Sequence, residues 1–552
     1  MALRSLIVLM LCLFLAACTT KHYRKSADKE VAKAIAQKTP LVPNMDTNFT
    51  IEASGEISLE GLPVSDKAQE FFGPDSEMER GAKVISLEKA LELAVNHSRT
   101  YQNRKELLYL QALNLTLERH RFTPIFSGRV RTRYNRSSTE IKNGVNRIVE
   151  ERQVTVSGDT GLDILMRTGT RIAVDFSQDF LRFVTGDSRV ATSSALAGTL
   201  TQPLLRGAGY KIASENLTQA ERNLLYALRD FTRFRKEFSV DIAASYYNVL
   251  QNRDAVRNSW RGFQNFKQSV AREHAFADEG LRSRAFLDQV KQAELNTESR
   301  WINALRVYRQ SLDQFKVQLG LPANAHVVLD ETELDKLEIN HPSLTAEEAI
   351  KVAQISRLDL HNQQDQFEDA QRKIKVAANG LLPQLDLVAS ASTERRPGEA
   401  FPTPDFSRYR WSAGLDLDLP LDRKSQRNSY RASLIAFERA GRELTLATDN
   451  IWLQINDDMR KLEQSRRNYE ISLIGVQIAE RRLEEQRLRQ ELGRGTARDL
   501  VDAQNDLIDS RNQRTSALIS HTIERLRFWR DMGILMIKED GQWEETSEPN
   551  EK

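Results

Sequence analysis

Cysteine is close to absent from this chain of 552 residues: there are two, Cys12 and Cys18, both near the N-terminus. Once a leader ending before Cys18 is removed, one remains, so no internal disulfide can form and no thiol cluster exists for metal or redox work. Stability has to come from packing. Proline is sparse and unevenly placed, with none between Leu204 and Leu321 or between Leu421 and Glu548. Beyond Leu15 no apolar stretch is long enough for a membrane helix, and the mean hydropathy is −0.51 with 28% charged residues. Any membrane crossing must therefore be made by β-strands. A net charge of only +2 argues against a general nucleic-acid binder. The eight histidines are scattered without metal-ligand spacing, and no Gly-rich phosphate loop, serine elbow or cysteine-nucleophile context occurs. No enzyme chemistry, no metal site and no cofactor are expected.

What is present begins with a leader. Arg4 precedes an apolar run from Leu6 to Leu15, and the run ends in Leu15-Ala16-Ala17-Cys18. The run is too short to span a bilayer permanently, and small residues before a cysteine suit a lipoprotein signal whose Cys18 becomes the acylated first residue. The alternative is an ordinary signal peptide with an incidental cysteine. Thr19 follows with no acidic residue beside it, which by resemblance to bacterial lipoproteins favours the outer membrane, with any helices extending into the periplasm.

The remainder is a tandem duplication. Ser86-Leu87-Glu88-Lys89-Ala90-Leu91 corresponds to Thr345-Ala346-Glu347-Glu348-Ala349-Ile350, and the same register carries Pro124 onto Pro383. Gln202-Pro203-Leu204-Leu205 matches Leu419-Pro420-Leu421, and Gly262, Gly280, Phe315 and Gly320 fall on Gly475, Gly493, Phe528 and Gly533. Each copy reads as short helix, strand region, long helix, returning helix. The proline-free stretches suit long helices. Gly280 and the Gly493/Gly495 pair break them, while Gly320 and Gly533 stand where C-caps belong.

A heptad runs through the second long helix at Leu434, Gly441, Thr448, Ile455, Leu462, Tyr469, Val476 and Leu483, with Phe437, Leu444, Ile451 and Ala479 as companions. This is a narrow coiled-coil seam. In the first copy Leu217, Leu224, Phe231 and Phe238 keep the step, and the column resumes at Ile242, Val249, Val256, Phe263 and Val270. The four-residue jump from Phe238 to Ile242 is a stutter, which locally unwinds a coiled coil and preserves its contact face. A helix from Tyr210 to Glu279 would extend roughly 100 Å, and helices from Ser86 to Phe122 and Leu281 to Leu319, end to end, reach about the same span.

Between helices the period changes to two. Phe126, Gly128, Val130, Thr132 and Tyr134 share one strand face, and Arg129, Arg131 and Arg133 the other. In the second copy Leu415, Leu417, Leu419 and Leu421 alternate with Asp416 and Asp418. A membrane barrel needs that pattern, with lipid outside and Arg129, Arg131, Arg133, Asp416 and Asp418 lining the lumen; a soluble half-buried sheet shows the same alternation. About four such strands cannot close a barrel alone, since closure takes roughly eight or more, so an oligomer is required.

The duplication, both proline-marked strand ends and the turns at Gly280-Leu281 and Gly493 together resemble the TolC-type outer-membrane efflux protein family, from Ser86 to Gly533. The resemblance implies a mainly α fold with a membrane β-barrel part. Three chains would form a trimeric α-barrel of long antiparallel coiled-coil helices, each giving four strands to a shared 12-stranded β-barrel. It implies a passive outer-membrane exit duct of a tripartite efflux or type I secretion system, with a periplasmic adaptor and, through it, an inner-membrane transporter as partners. It also implies adaptor docking at the turns Gly280, Leu281, Arg282, Ser283 and Gly493, Arg494, Gly495, Thr496, and a periplasmic constriction at Asp499 and Asp502. Thr496 followed by Asp499 equally fits a capping box. Family members that lock the tip use a Thr-Asp pair where this chain has Ala285 and Phe286, which leaves its closing contacts unassigned.

The domains expected are a signal peptide (1–17), a lipidated N-terminal tether or equatorial segment (18–85), and a first repeat (86–320) with strand region 125–205. A linker (321–344), a second repeat (345–533) with strand region 384–421 and a polar C-terminal tail (534–552) follow. The first strand region is longer by the difference between the repeat offsets at Pro124/Pro383 (259) and Pro203/Pro420 (217), 42 residues. Thr155 to Leu165 and Arg171 to Phe180, joined by Arg167-Thr168-Gly169-Thr170, read as an additional hairpin of open location. The competing reading is a lipid-anchored periplasmic coiled-coil scaffold or adaptor without a pore.

Overall fold

A computed structural model describes residues 19–46, 49–52, 55, 57–143, 145–183, 190–394, 406–492 and 494–544. Nine principal helices among them are α1 (Thr20–Lys38), α2 (Leu87–His97), α3 (Arg99–His120), α4 (Glu215–Asp278), α5 (Arg284–Leu319), α6 (Ala346–Ser356), α7 (Leu358–Asn379), α8 (Lys424–Glu491) and α9 (Ala497–Asp531). The strands are β1 (Lys83–Ile85), β2 (Ile125–Asn143), β3 (Val145–Leu165), β4 (Arg171–Phe183), β5 (Val190–Pro203), β6 (Val327–Leu329), β7 (Gln384–Glu394) and β8 (Tyr409–Asp418). The chain divides into two compact units. One comprises residues 1–35, 110–226 and 363–444, the other 36–109, 227–362 and 445–552.

The first unit is built on one sheet of six antiparallel strands in the order β2-β3-β4-β5-β7-β8. This differs from the four strands that the resemblance implies. The additional hairpin is β3–β4, paired to β2 on one side and β5 on the other, because its alternation matches theirs and nothing in its sequence turns it out of the ladder. Gly169, at φ +92°, makes its turn: a Cβ there would stand 2.8 Å from the Gly207 carbonyl oxygen. Helix segments of the same unit are tied by charge. Arg119 pairs with Glu221 at 2.7 Å, Arg222 with Asp369 at 2.9 Å and Arg372 with Glu215 at 2.8 Å, while the Tyr226 hydroxyl donates to Asp369 at 2.7 Å.

The second unit is mainly helical. Each sequence stretch read as one short helix is two: α2 and α3 meet at Ser98, α6 and α7 at Arg357, both with extended backbone. The break makes room for a C-cap. Gly320 ends α5 at φ +82° so close to α2 that a Cβ would lie 2.1 Å from the His97 carbonyl oxygen, and Gly533, also at φ +82°, sits against Ser356 after α9. Only glycine takes that conformation without strain and leaves that space. The N-caps repeat as well: Ser86 accepts from the Lys89 amide, and Thr345 forms a complete capping box with Glu348.

The seam is confirmed in burial. Leu217, Leu224, Phe231, Phe238, Ile242, Val249 and Val256 are all buried, with α4 unbroken across the stutter. On α8 the buried positions Ile451, Ile455, Asp458, Leu462, Ser465, Ser472, Val476, Ala479 and Leu483 step by three and four, apart from one step of seven across the partly buried Tyr469. Gly262 on α4 lets α9 approach, since a Cβ would stand 2.3 Å from Ile508 Cδ1.

Segments outside the repeats are fastened into this unit. β1 and β6 form a short parallel ladder, with β6 fully buried. Glu79 is 2% exposed and receives both nitrogens of a bidentate Arg253, at 3.0 and 2.7 Å, and the Tyr308 hydroxyl at 2.6 Å. The stretch read as a polar tail folds back in its described part. Leu535 and Ile537 are buried, and Asn44 exchanges hydrogen bonds with the Ile537 backbone at 2.8 and 3.0 Å. Among the described residues no helix is long and apolar enough to cross a membrane.

Candidate functional site

Two places collect the residues singled out by sequence: the ends of the helix hairpins and the sheet. Cys18 and Gly493 lie outside the described residues.

At the first hairpin end, α4 finishes in a 6→1 bond from the Leu281 amide to the Phe276 carbonyl at 2.9 Å, with Gly280 at φ +74°. Ser283 then caps α5, accepting from the Phe286 amide. Leu281 is 71% exposed and Ser283 is exposed. Arg282, expected on a docking surface, turns inward. Its guanidinium donates to the Gln490 carbonyl oxygen at 2.8 Å, lies 3.7 Å from the Glu273 carboxylate and stacks on Phe286 at 5.0 Å.

At the second end the Arg494 amide bonds to the Arg489 carbonyl at 2.9 Å, and Arg494 is exposed. Gly495 runs close to α8, where a Cβ would be 3.0 Å from the Gln490 nitrogen. Thr496 caps α9: its oxygen accepts from the Asp499 amide at 3.1 Å, and its hydroxyl donates to the Asp499 carboxylate at 2.6 Å. The capping geometry thus exists at Asp499, whose residue is nevertheless exposed. Asp502 is half exposed, 3.9 Å from Arg498.

Sequence reasoning missed the buried centre between these ends. Glu273 is fully buried, Gln490 is 4% exposed, and the Gln490 amide nitrogen donates to Glu273. Beneath lie Phe266, Val290, Ala293 and Ala497. A signal existed: Gln490 continues the α8 column seven residues past Leu483, and Glu273 follows Phe266 by the same step. Polar residues therefore occupy the last seam positions. Arg282 has a carboxylate and a carbonyl to hold only because both hairpin ends meet there.

In the sheet, cross-strand register places residues directly opposite one another on a common face. Arg129 stands opposite Asp159, and Asp416 opposite Asp386. Following the register across all six strands puts Arg129, Arg131, Arg133, Asp416 and Asp418 on one face. The other carries Phe126, Val130, Tyr134, Leu415 and Leu417, each more than half exposed.

Residues 349–526 match the family model described as outer membrane efflux protein. No curated protein sequence matches the chain. Among solved structures, the CmeC outer membrane channel of Campylobacter jejuni superposes with TM-score 0.59 at 14% identity, over 92% of this chain and 96% of that one. VceC, an outer membrane protein of Vibrio cholerae, gives 0.58 at 13% over 81% and 96%. The open state of the MtrE outer membrane channel of Neisseria gonorrhoeae gives 0.55 at 13% over 83% and 90%. At these identities the likeness establishes a common fold.

Proposed function

We propose that the chain, whose residues 349–526 match the outer membrane efflux protein model, is the exit duct of a tripartite efflux or type I secretion system, working as a homotrimer. Three sheets close one barrel through the outer membrane, and the coiled-coil helices line a conduit in the periplasm. The observation that carries this reading is the sheet with one apolar and one charged face, joined directly to heptad-bearing helices. A scaffold or adaptor without a pore would leave the apolar face in water, where exposed apolar area of that extent is unfavourable.

The hairpin ends receive an adaptor through exposed groups such as Leu281, Ser283 and Arg494, and pass cargo from an inner-membrane transporter. Asp499 and Asp502, repeated by threefold symmetry, would ring the entrance and concentrate cations by focusing the field in a narrow pore. The capping bond of Asp499 does not compete with that role, since the carboxylate remains exposed while it accepts from Thr496. Acylation at Cys18 anchors the N-terminus to the membrane that the strands perforate.

Conductance of the purified protein across a planar bilayer tests the duct. Discrete channels are expected, and a trimer that never conducts, with or without its adaptor, would return the chain to the scaffold reading. Metabolic labelling with palmitate tests the anchor: label should be present in the parent and absent from Cys18→Ser.

A further inference from the structure

We propose that all six strands of the sheet are staves of the membrane barrel, so that three copies close an eighteen-stranded barrel in which one chain's β8 pairs with the next chain's β2. The proposal rests on the duct reading and deepens it.

The first support is register. Phe126, Leu162, Val174, Gly198, Ala391 and Trp411 form one continuous row of directly opposed residues across all six strands, without a charge in it. The adjacent row on the same face is Gly128, Thr160, Phe176, Leu196, Thr393 and Tyr409, again uncharged. The opposite face of the inserted hairpin bears Asp159, Asp163 and Asp175. β3 and β4 therefore present lipid-compatible and water-compatible sides in phase with β2, β5, β7 and β8. A hairpin lying outside the membrane with both faces in water would be under no such constraint.

Strand length and position agree. A membrane strand needs about 9–11 residues; β4 has 13 and β3 has 21, against 11 and 10 for β7 and β8. The β3–β4 turn is held at the helix end of the sheet: the Gly209 amide, just before α4, donates to the Thr168 carbonyl at 3.2 Å. Its strands consequently start at the level where β5 ends and run the same way through the sheet.

Closure follows from parity. Six consecutive antiparallel strands leave β2 and β8 as edges running in opposite directions. A cyclic array of copies can then zip β8 to β2 antiparallel, satisfying every edge amide and carbonyl, as a membrane demands. Barrel diameter grows roughly linearly with strand number. Eighteen staves make a mouth roughly 1.5 times as wide as twelve, in the range that leaves an aqueous channel.

Electron cryomicroscopy of the unmodified trimer counts the staves. Eighteen strands in the wall are expected. A twelve-stranded wall with the β3–β4 hairpin outside it overturns the proposal and leaves the duct standing, whereas a trimer with no membrane barrel overturns both. Site-directed spin labelling in phosphatidylcholine–phosphatidylglycerol vesicles gives an independent reading, placing nitroxides at single cysteines. Labels at Val156→Cys and Val174→Cys should prefer oxygen over a water-soluble nickel complex as strongly as those at Val130→Cys and Leu415→Cys. Asp159→Cys and Asp175→Cys should show the reverse. If Val156 and Val174 read as aqueous while Val130 and Leu415 read as lipid, the hairpin is no stave; if all four read as aqueous, the duct reading falls as well.

Discussion

Arg282, in the turn between α4 and α5, donates a guanidinium hydrogen bond to the main-chain oxygen of Gln490 in the last turn of α8, 2.8 Å away. One side chain thereby ties the two hairpin ends together, above a fully buried Glu273.

Arg282→Ala should loosen both ends. A hydrogen bond from a charged donor contributes about 1.5–3 kcal/mol, so amide exchange near Glu273 and Gln490 should accelerate roughly ten- to a hundredfold, and resting conductance in a bilayer should rise. Unchanged exchange at both ends would show that the contact is incidental.

Capping and charge at the α9 start can be separated. Thr496→Ala removes the oxygen that accepts from the Asp499 amide and should cost about 1 kcal/mol of local stability, with ion selectivity unchanged. Asp499→Asn combined with Asp502→Asn retains hydrogen-bonding capacity and removes the charge, so the preference for cations in reversal-potential measurements should fall. Equal selectivity in the parent and the double variant would leave Asp499 as a cap alone.

Glu79→Ala takes from Arg253, itself 4% exposed, its bidentate carboxylate, leaving Glu331 as its remaining acidic partner, and removes the acceptor of the Tyr308 hydroxyl. Breaking one side of a buried ion pair costs about 3–5 kcal/mol. Denaturant unfolding of the detergent-solubilised protein should register a loss of that order, smaller for Glu79→Gln, whose carbonyl oxygen still accepts from Arg253 Nε and the Tyr308 hydroxyl while the bond to the second Arg253 nitrogen is lost.

Asp458, on the α8 seam, has its carboxyl pushed up to about 7, chiefly by burial and next by the neighbouring Asp531. An acid with a raised folded value is bound more tightly to its proton when folded. Its contribution is therefore greatest below about pH 4 and is lost as the pH rises through 7. Asp458→Asn should gain melting temperature over the parent progressively from pH 5 to pH 8. A constant difference across that range would remove Asp458 as the titrating group. His521 acts on the acid side: burial first, then the nearby Arg525, His341 and Arg466, lower it to about 4. Charging it costs stability as the pH falls from 6.5 toward 4, a loss His521→Gln should abolish.

Periodicity made the helices legible. Leu217 to Val256 and Ile455 to Leu483 announce a seam because a residue buried on a coiled coil must recur at nearly fixed spacing. The stutter at Phe238 could be read from letters alone for the same reason. Strand alternation from Phe126 to Tyr134 was equally plain. Less legible were the breaks at Ser98 and Arg357, whose cause lies in Gly320 and Gly533, more than 170 residues away in sequence. Asp458 and Glu79 escaped notice because a charged residue ordinarily marks a solvated face, and only neighbours brought by the fold make either one buried.

By itself, then, the sequence determined the duplicated plan, the two periods and the residues eligible for each face, since these depend on local spacing along the chain. Tertiary structure alone decided three further matters. It laid the extra hairpin into the sheet, making six strands, because strand order depends on which edges pair. It turned Arg282 inward to Glu273 and Gln490, because those partners lie on different hairpins. It also gave Asp499 a hydrogen bond to Thr496 while leaving its carboxylate exposed, because cap geometry and solvent access are both properties of the folded turn.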